Sequence, residues 1–199
     1  MPQPLILASG SEIRRQLLAQ AGVDHVVDVA RIDEEMITTA LLAEAAKPRD
    51  IADTLAEMKA RKISEKHPGA LVLGCDQVLE HRGALLSKPV DAQDAIAQLS
   101  QLRGDRHSLL SAAVICEDGK PIWRHVGQVR LRMREASDSY IADYVARNWD
   151  SIRHAVGCYK LEEEGVRLFS SIEGDYFHVL GMPFLELLNY LTLRGDLET

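Results

Sequence analysis

The chain has little that would tie it to a membrane, a disulfide framework or a nucleic-acid polymer. Among 199 residues there are 3 cysteines, Cys75, Cys116 and Cys158. They are far apart, odd in number and without C-x-x-C spacing, which excludes a zinc ribbon and a disulfide scaffold. What remains for them is the role of small buried hydrophobes. No apolar run reaches the length of a bilayer span. The first residues lack a basic region followed by an apolar core and a cleavage site. The expectation is a cytoplasmic protein, in a compartment where thiols stay reduced. Positive charge is in the minority: 23 Lys and Arg against 30 Asp and Glu leave a net charge of -7. That excludes a protein that coats nucleic acid, but it allows a mononucleotide, which needs only a local positive cluster. There are no internal repeats, linkers or low-complexity stretches, so residues 1–199 are expected to form one domain, with room for two lobes.

What is present begins with Leu5-Ile6-Leu7-Ala8-Ser9-Gly10-Ser11-Glu12-Ile13-Arg14-Arg15-Gln16-Leu17-Leu18. Four apolar residues predict a buried strand, and Ile13, Leu17, Leu18 and Ala21 fall on one helical face. Strand, small polar turn and helix N-terminus together present backbone N–H groups to an anion. Arg14 and Arg15 stand where the helix dipole disfavours cations, which makes sense if a negative group lies in front of them. A second reading stays open: Ser9 and Glu12 as an S-x-x-E capping box, or Ser11 as a plain cap.

The pattern then predicts a strand at His25–Val29 and a helix from about Met36 to Ala46 behind the acidic cluster Asp33-Glu34-Glu35. A helix from Pro48 to about Lys66 follows. Lys59 falls in the middle of the apolar stripe of that last helix, so it either snorkels to water or faces a polar cavity. Ala70–Asp76 is a continuous apolar run ending in an acid, the mark of a buried parallel strand. Ligands in open α/β sheets lie beyond the carboxyl ends of such strands, where Asp76 stands. A hairpin around His81-Arg82-Gly83, Lys88-Pro89 and a helix capped by Asp91 come next. Two long strands, Arg106–Glu117 and Pro121–Met133, are joined at Asp118-Gly119-Lys120. In the second, Arg130, Arg132 and Arg134 alternate with Val129, Leu131 and Met133, which places the arginines on one solvated face. Helices from Ser137 to about Asn148 and from Pro183 to about Gly195 complete an α/β reading with a β-rich second half.

These residues resemble the Maf proteins, nucleoside triphosphate pyrophosphatases. S-x-S-x-x-R-x-x-L-L appears as Ser9, Ser11, Arg14, Leu17 and Leu18. D-E appears as Asp33-Glu34, and L-A-x-x-K-A as Leu55-Ala56 and Lys59-Ala60. G-x-D and K-P appear as Gly74, Asp76, Lys88 and Pro89. Gly157, Glu162, Glu173-Gly174, Tyr176, Gly181 and Pro183 supply the later motifs. Each motif alone is weak, but six in register over nearly the whole chain are specific. The resemblance implies a mixed, elongated sheet with flanking helices and two lobes around a deep cleft. It also implies a homodimer, a divalent cation and hydrolysis of a nucleotide between its α- and β-phosphates, with an effect on cell division in some members.

Roles follow for the matched residues. The Ser9-Gly10-Ser11 turn, Arg14 and the helix N-terminus hold phosphates. Lys59 and Lys88 neutralise the charge that builds up in phosphoryl transfer. Glu34 and Asp76 hold Mg2+ or Mn2+, and Asp76 is the base that deprotonates the attacking water. Maf proteins similar to the dTTP/UTP pyrophosphatases usually carry Arg, Thr and Gln at the positions of Ile13, Gln77 and Glu162. Those similar to 7-methyl-GTP pyrophosphatases usually carry Trp, Gln and Glu. Gln77 and Glu162 therefore favour 7-methyl-GTP, while Ile13 departs from both patterns. The competing readings are a dTTP/UTP pyrophosphatase, an inosine triphosphate pyrophosphatase on a related fold, and a nucleotide-binding regulator of cell division that does not turn over. Glu162 also has a bland reading, as one surface acid in the run Glu162-Glu163-Glu164.

Overall fold

The computed structural model describes residues 4–198. The elements, in order, are β1 Leu5–Leu7, α1 Glu12–Gln20, β2 His25–Val27, α2 Glu34–Ala43, α3 Pro48–Ser64, β3 Val72–His81 and β4 Ala84–Leu86. Then come α4 Ala92–Leu102, β5 Arg106–Glu117, β6 Lys120–Met133, α5 Asp138–Ile152, β7 Phe169–Glu173, α6 Tyr176–Val179 and α7 Phe184–Arg194. Seven strands form one mixed sheet in the order β2-β1-β3-β5-β6-β7, with β4 paired to β3. β1 is parallel to both β2 and β3, whereas β3–β4 and β6–β7 are antiparallel.

The chain clusters into two units. The first comprises Met1–Gln77, Ser111–Gly127 and Gly181–Thr199, and the second Val78–Leu110 and Gln128–Leu180. The first carries β1, α1, β2, α2, α3 and α7. Its core includes Ile6, Ala8, Ala30, Ile63, Ala70 and Val72. α3 turns Ile51, Ala52, Leu55, Ala56, Ala60 and Ile63 inward, and burial of Leu55 or Ile63 is worth about 2 kcal/mol each. The second unit has its own core, in which Leu79, Leu99, Leu102, Leu109, Leu131, Ile141, Tyr144 and Tyr159 are buried together. Arg130 and Arg132 face solvent while Val129, Leu131 and Met133 are buried, as the period of two requires.

Several boundaries differ from the sequence expectation. β2 stops at Val27, and its valines are half exposed, so Asp28 and Val29 have no buried face to hold them in a strand. α2 starts at Glu34, because the Asp33 carboxylate accepts from the Met36 N–H at 3.0 Å and caps it there. It ends at Ala43 rather than Ala46, ahead of Ala45 at φ 56. α5 continues past Asn148 to Ile152, which is buried in the second core. The stretch from Val72 to His81 is a single strand, so Asp76 does not end it. Asp76 nevertheless lies past the parallel ladder, whose last pair with β1 is Leu7↔Leu73. The Ser9–Glu12 capping box does not form. Ser11 occupies the cap position of α1 without a side-chain hydrogen bond. Glu12 pairs instead with Arg15 and Gln16 on the surface. All three cysteines are free and buried. Among the described residues no helix is long and apolar enough to cross a membrane.

Candidate active site

Lys59 is where the first unit concentrates its chemistry. It sits mid-way along the buried face of α3 and is only 7% exposed, so it does not snorkel. Its Nζ lies 2.6 Å from Asp76 Oδ1 and 2.7 Å from Glu34 Oε1. Helix and strand meet so closely because Gly74 has no side chain. A Cβ there would stand 2.2 Å from the Ala56 carbonyl oxygen and 2.6 Å from the Ala60 nitrogen. Ala56 and Ala60 flank the lysine along the helix, and Gly74 precedes Asp76 by two residues. The contact that seats α3 on β3 is therefore the one that sets the lysine against the carboxylate.

Burial dominates the electrostatics of the cluster. Asp76 is 6% exposed. Desolvation raises its carboxyl above the ordinary 3.8, and the Lys59 charge and hydrogen bond pull the other way. The neighbouring Cys75 thiol is pushed up to about 11 by burial, which makes it a poor nucleophile at neutral pH. Two carboxylates from different elements, one buried and one with its side chain 41% exposed, converge on a single cationic atom. Among the described residues Asp76 Oδ2 accepts no hydrogen bond. A hard divalent cation takes oxygen ligands of this kind, so the donor set fits Mg2+ or Mn2+.

Beside this cluster lies the turn from β1 into α1. Arg14 donates from Nε to the Gly181 carbonyl at 2.9 Å, and from one terminal nitrogen to Ser9 Oγ at 3.0 Å and to the Cys75 carbonyl at 3.1 Å. Part of the reason for an arginine in a helix first turn is thus internal: it has three neutral acceptors. Ser9 Oγ also accepts from the Ser11 N–H at 3.3 Å. The first N–H groups of α1 have no side-chain cap and remain for an external acceptor. Ile13 is partly exposed on the same helix. Gln77, next to Asp76, donates to the buried Ser111 hydroxyl at 2.9 Å.

Of the residues singled out from sequence, Ser9, Ser11, Ile13, Arg14, Glu34, Lys59, Asp76 and Gln77 all belong to the first unit. Lys88 and Glu162 belong to the second and are exposed. Two glycines enter the sequence reading only as motif matches without a role, and a third contributor, Ser111, does not enter it. Gly74 was legible in principle, as a glycine inside an apolar strand run facing Ala56 and Ala60 at helical spacing. Gly181 gives Arg14 its carbonyl at φ 90, and a Cβ there would come within 3.0 Å of the guanidinium. Ser111 had no local signal at all.

The family model described as Maf-like protein matches residues 4–193. A protein of Roseobacter denitrificans (strain ATCC 33942 / OCh 114) named nucleoside triphosphate pyrophosphatase is 77% identical over 197 residues, which cover 99% of each chain. One of the same name from Ruegeria pomeroyi (strain ATCC 700808 / DSM 15171 / DSS-3) is 71% identical over 199 residues, covering both chains in full. A third, from Ruegeria sp. (strain TM1040), is 67% identical over 198 residues, again covering 100% of each.

Proposed function

We propose that this chain, which belongs to the Maf family, is a nucleoside triphosphate pyrophosphatase whose substrate is 7-methyl-GTP. The observation that carries the activity is the Lys59 ammonium held between Asp76 and Glu34 next to the Ser9–Arg14 turn. Ser9, Ser11, Arg14 and the N-terminus of α1 make up the phosphate end. Asp76 orients a water and takes its proton. The water oxygen bonds to the α-phosphorus as the bond to the pyrophosphate leaving group breaks. Lys59, with Lys88, offsets the charge that grows on the phosphate oxygens. Glu34 and Asp76 would hold the divalent cation, which supplies Lewis-acid stabilisation of those oxygens when bound. A regulator that only binds nucleotide does not need a buried carboxylate beyond the ammonium, so the cluster favours turnover.

The base assignment rests on the second unit. In the run Glu162-Glu163-Glu164, Glu163 accepts from Ser151 and Lys160, and Glu164 from Arg147 and Asn148. Among the described residues Glu162 accepts no hydrogen bond, which is what a carboxylate kept for a ligand looks like. It raises the Tyr176 phenol by its charge, after burial, so an exposed aromatic ring lies within its field. A carboxylate can accept from the N1–H and the 2-amino group of guanine, and it favours the positive charge that methylation at N7 places on the base. Thymine and uracil offer only N3–H on that edge. The test is kcat/KM for 7-methyl-GTP against dTTP and UTP, in the wild type and in Glu162→Gln. The expected result is a preference for 7-methyl-GTP that shrinks about tenfold or more with the substitution. A wild type that prefers dTTP or UTP, or a ratio the substitution does not move, overturns the base assignment and leaves the pyrophosphatase reading standing. The family resemblance also carries the homodimer, which sedimentation of the whole chain would check.

A further inference from the structure

We propose that Arg14 is a positioning residue: its guanidinium fixes the Ser9 hydroxyl as the donor that meets the substrate's phosphates. The inference rests on the reading of this turn as the phosphate end of the site. Arg14 reaches three acceptors that lie 5, 61 and 167 positions away in the chain: Ser9 Oγ, the Cys75 carbonyl and the Gly181 carbonyl. The two carbonyls belong to backbone that cannot follow a ligand, so they hold the planar fork still. The third bond is then imposed on Ser9.

What that bond does to Ser9 follows from hydroxyl chemistry. A serine oxygen has two acceptor sites and one donor hydrogen. Here both partners, the Arg14 terminal nitrogen at 3.0 Å and the Ser11 backbone nitrogen at 3.3 Å, can only donate. Both acceptor sites are therefore occupied, and the O–H must point away from both. Among the described residues nothing accepts it. Ser9 is 8% exposed, so little water competes. The result is a hydroxyl donor of fixed direction, polarised by a cation behind it, one residue from Gly10 and two from the cap position of α1. An anionic phosphate oxygen is the acceptor that suits such a donor. Gly181 completes the device, because any side chain there would displace the guanidinium.

This differs from an arginine that touches the phosphate itself. A contact made by charge survives in large part when the guanidinium becomes an ammonium. A three-point fork does not, because a lysine presents one nitrogen and cannot reach three fixed acceptors at once. The experiment uses the whole chain with Mg2+ or Mn2+ and measures the binding of inorganic tripolyphosphate by calorimetry. Wild type, Ser9→Ala, Arg14→Lys and the double variant are compared, with melting temperatures recorded alongside. Ser9→Ala is expected to weaken binding about tenfold and Arg14→Lys by about the same factor. The double variant is expected to lie within about twofold of either single one, because the two substitutions remove one interaction.

Factors that multiply to about 100-fold in the double variant would overturn the proposal, since Arg14 would then touch the ligand independently of Ser9. So would an Arg14→Lys protein that binds as the wild type does. A wild type that does not bind tripolyphosphate at all removes the phosphate reading of the turn, and the inference falls with it. If Arg14→Lys does not fold, side-chain nitrogen resonances of the wild type decide the matter. The Arg14 guanidinium should be protected from exchange before ligand is added and barely shift afterwards, and a large shift of its terminal nitrogens would count against the inference.

Discussion

Two aspartates, one in each unit, are both paired with cationic side chains, and they respond in opposite directions. Asp76, in the first unit, is buried against Lys59, and desolvation raises its carboxyl above the ordinary 3.8. Asp105, in the second, has its side chain 34% exposed and accepts from His81 at 3.0 Å, from Arg82 and from the Arg106 backbone N–H. Those hydrogen bonds, with His81 the largest contributor, hold it well below the usual carboxylate range. The number of partners and the access to water decide the sign, not the presence of a cation. Asp105 is a group at rest: ionised, saturated with donors and useful only to the fold. Asp76 is buried, raised by desolvation and short of donors, with one oxygen accepting no hydrogen bond among the described residues. Such a carboxylate suits the proposed role of general base.

Substitution at the two positions should separate these roles most sharply. Asp76→Asn should fold normally and lose hydrolysis by about 1,000-fold, within the range that loss of a general base covers. Asp105→Asn should keep turnover within about twofold and lower the melting temperature. Steady-state kinetics on both variants checks this. An Asp76→Asn enzyme retaining more than roughly a tenth of wild-type turnover would remove Asp76 as the base.

Lys59→Met breaks the comparison from the cation's side. It leaves a buried carboxylate without its partner, which is expected to cost about 3 kcal/mol of stability and about 100-fold in kcat. Urea unfolding and kinetics measure the two losses. His81→Gln, which removes one of several donors to Asp105, should affect stability alone.

Gly74→Ala tests whether the Lys59–Asp76 distance depends on how α3 lies on β3. The added methyl must displace helix backbone, which is expected to cost about 1–3 kcal/mol. Activity should fall more than stability predicts, because the pair is pulled apart. Stability lost with kcat unchanged would show that the close approach is structural only.

The smallest effect is in pH dependence, where the two aspartates carry opposite signs. Asp76 holds its proton in the folded state at pH values where the unfolded chain has released it. Between 3.8 and its raised value, its contribution to stability falls as pH rises. For Asp105 the contribution is present above 3.8 and is lost as the pH falls through its lowered folded value. Urea unfolding of wild type and the two Asn variants across this range should give difference curves of opposite slope. Saturating divalent metal should flatten the Asp76 curve, because a bound cation favours the ionised form.

Much of this was legible in the sequence, for identifiable reasons. Alternation fixed the solvated arginines of β6, and a continuous apolar run marked the start of β3 as a buried parallel strand, which the structure pairs with β1. A lysine in the middle of an apolar helical face is buried and paired with two carboxylates. Motif spacing carried the family. What could not be read were contacts between distant segments. No local pattern says that Arg14 would find the Gly181 carbonyl 167 residues on, or that Gln77 would meet Ser111. The capping box and the phosphate turn draw on the same serines, so the local sequence does not choose between them. In the structure Arg14 and Arg15 draw Ser9 and Glu12 into other bonds, so the capping box does not form. The sequence divides the buried strand ending at Asp76 from the hairpin strand that follows, because the polar Asp76 and Gln77 interrupt the apolar run, whereas the backbone runs through them as one strand to His81.

Product analysis shows whether the proposed Lys59–Asp76–Glu34 site cleaves nucleotides between the α- and β-phosphates. A panel of nucleoside triphosphates including 7-methyl-GTP, dTTP and UTP is incubated with the protein and Mg2+ or Mn2+, and pyrophosphate and phosphate are followed separately. The expected products are pyrophosphate and nucleoside monophosphate in equal amounts, abolished by Asp76→Asn. Release of phosphate with nucleoside diphosphate, or turnover that survives that substitution, would contradict the proposed function.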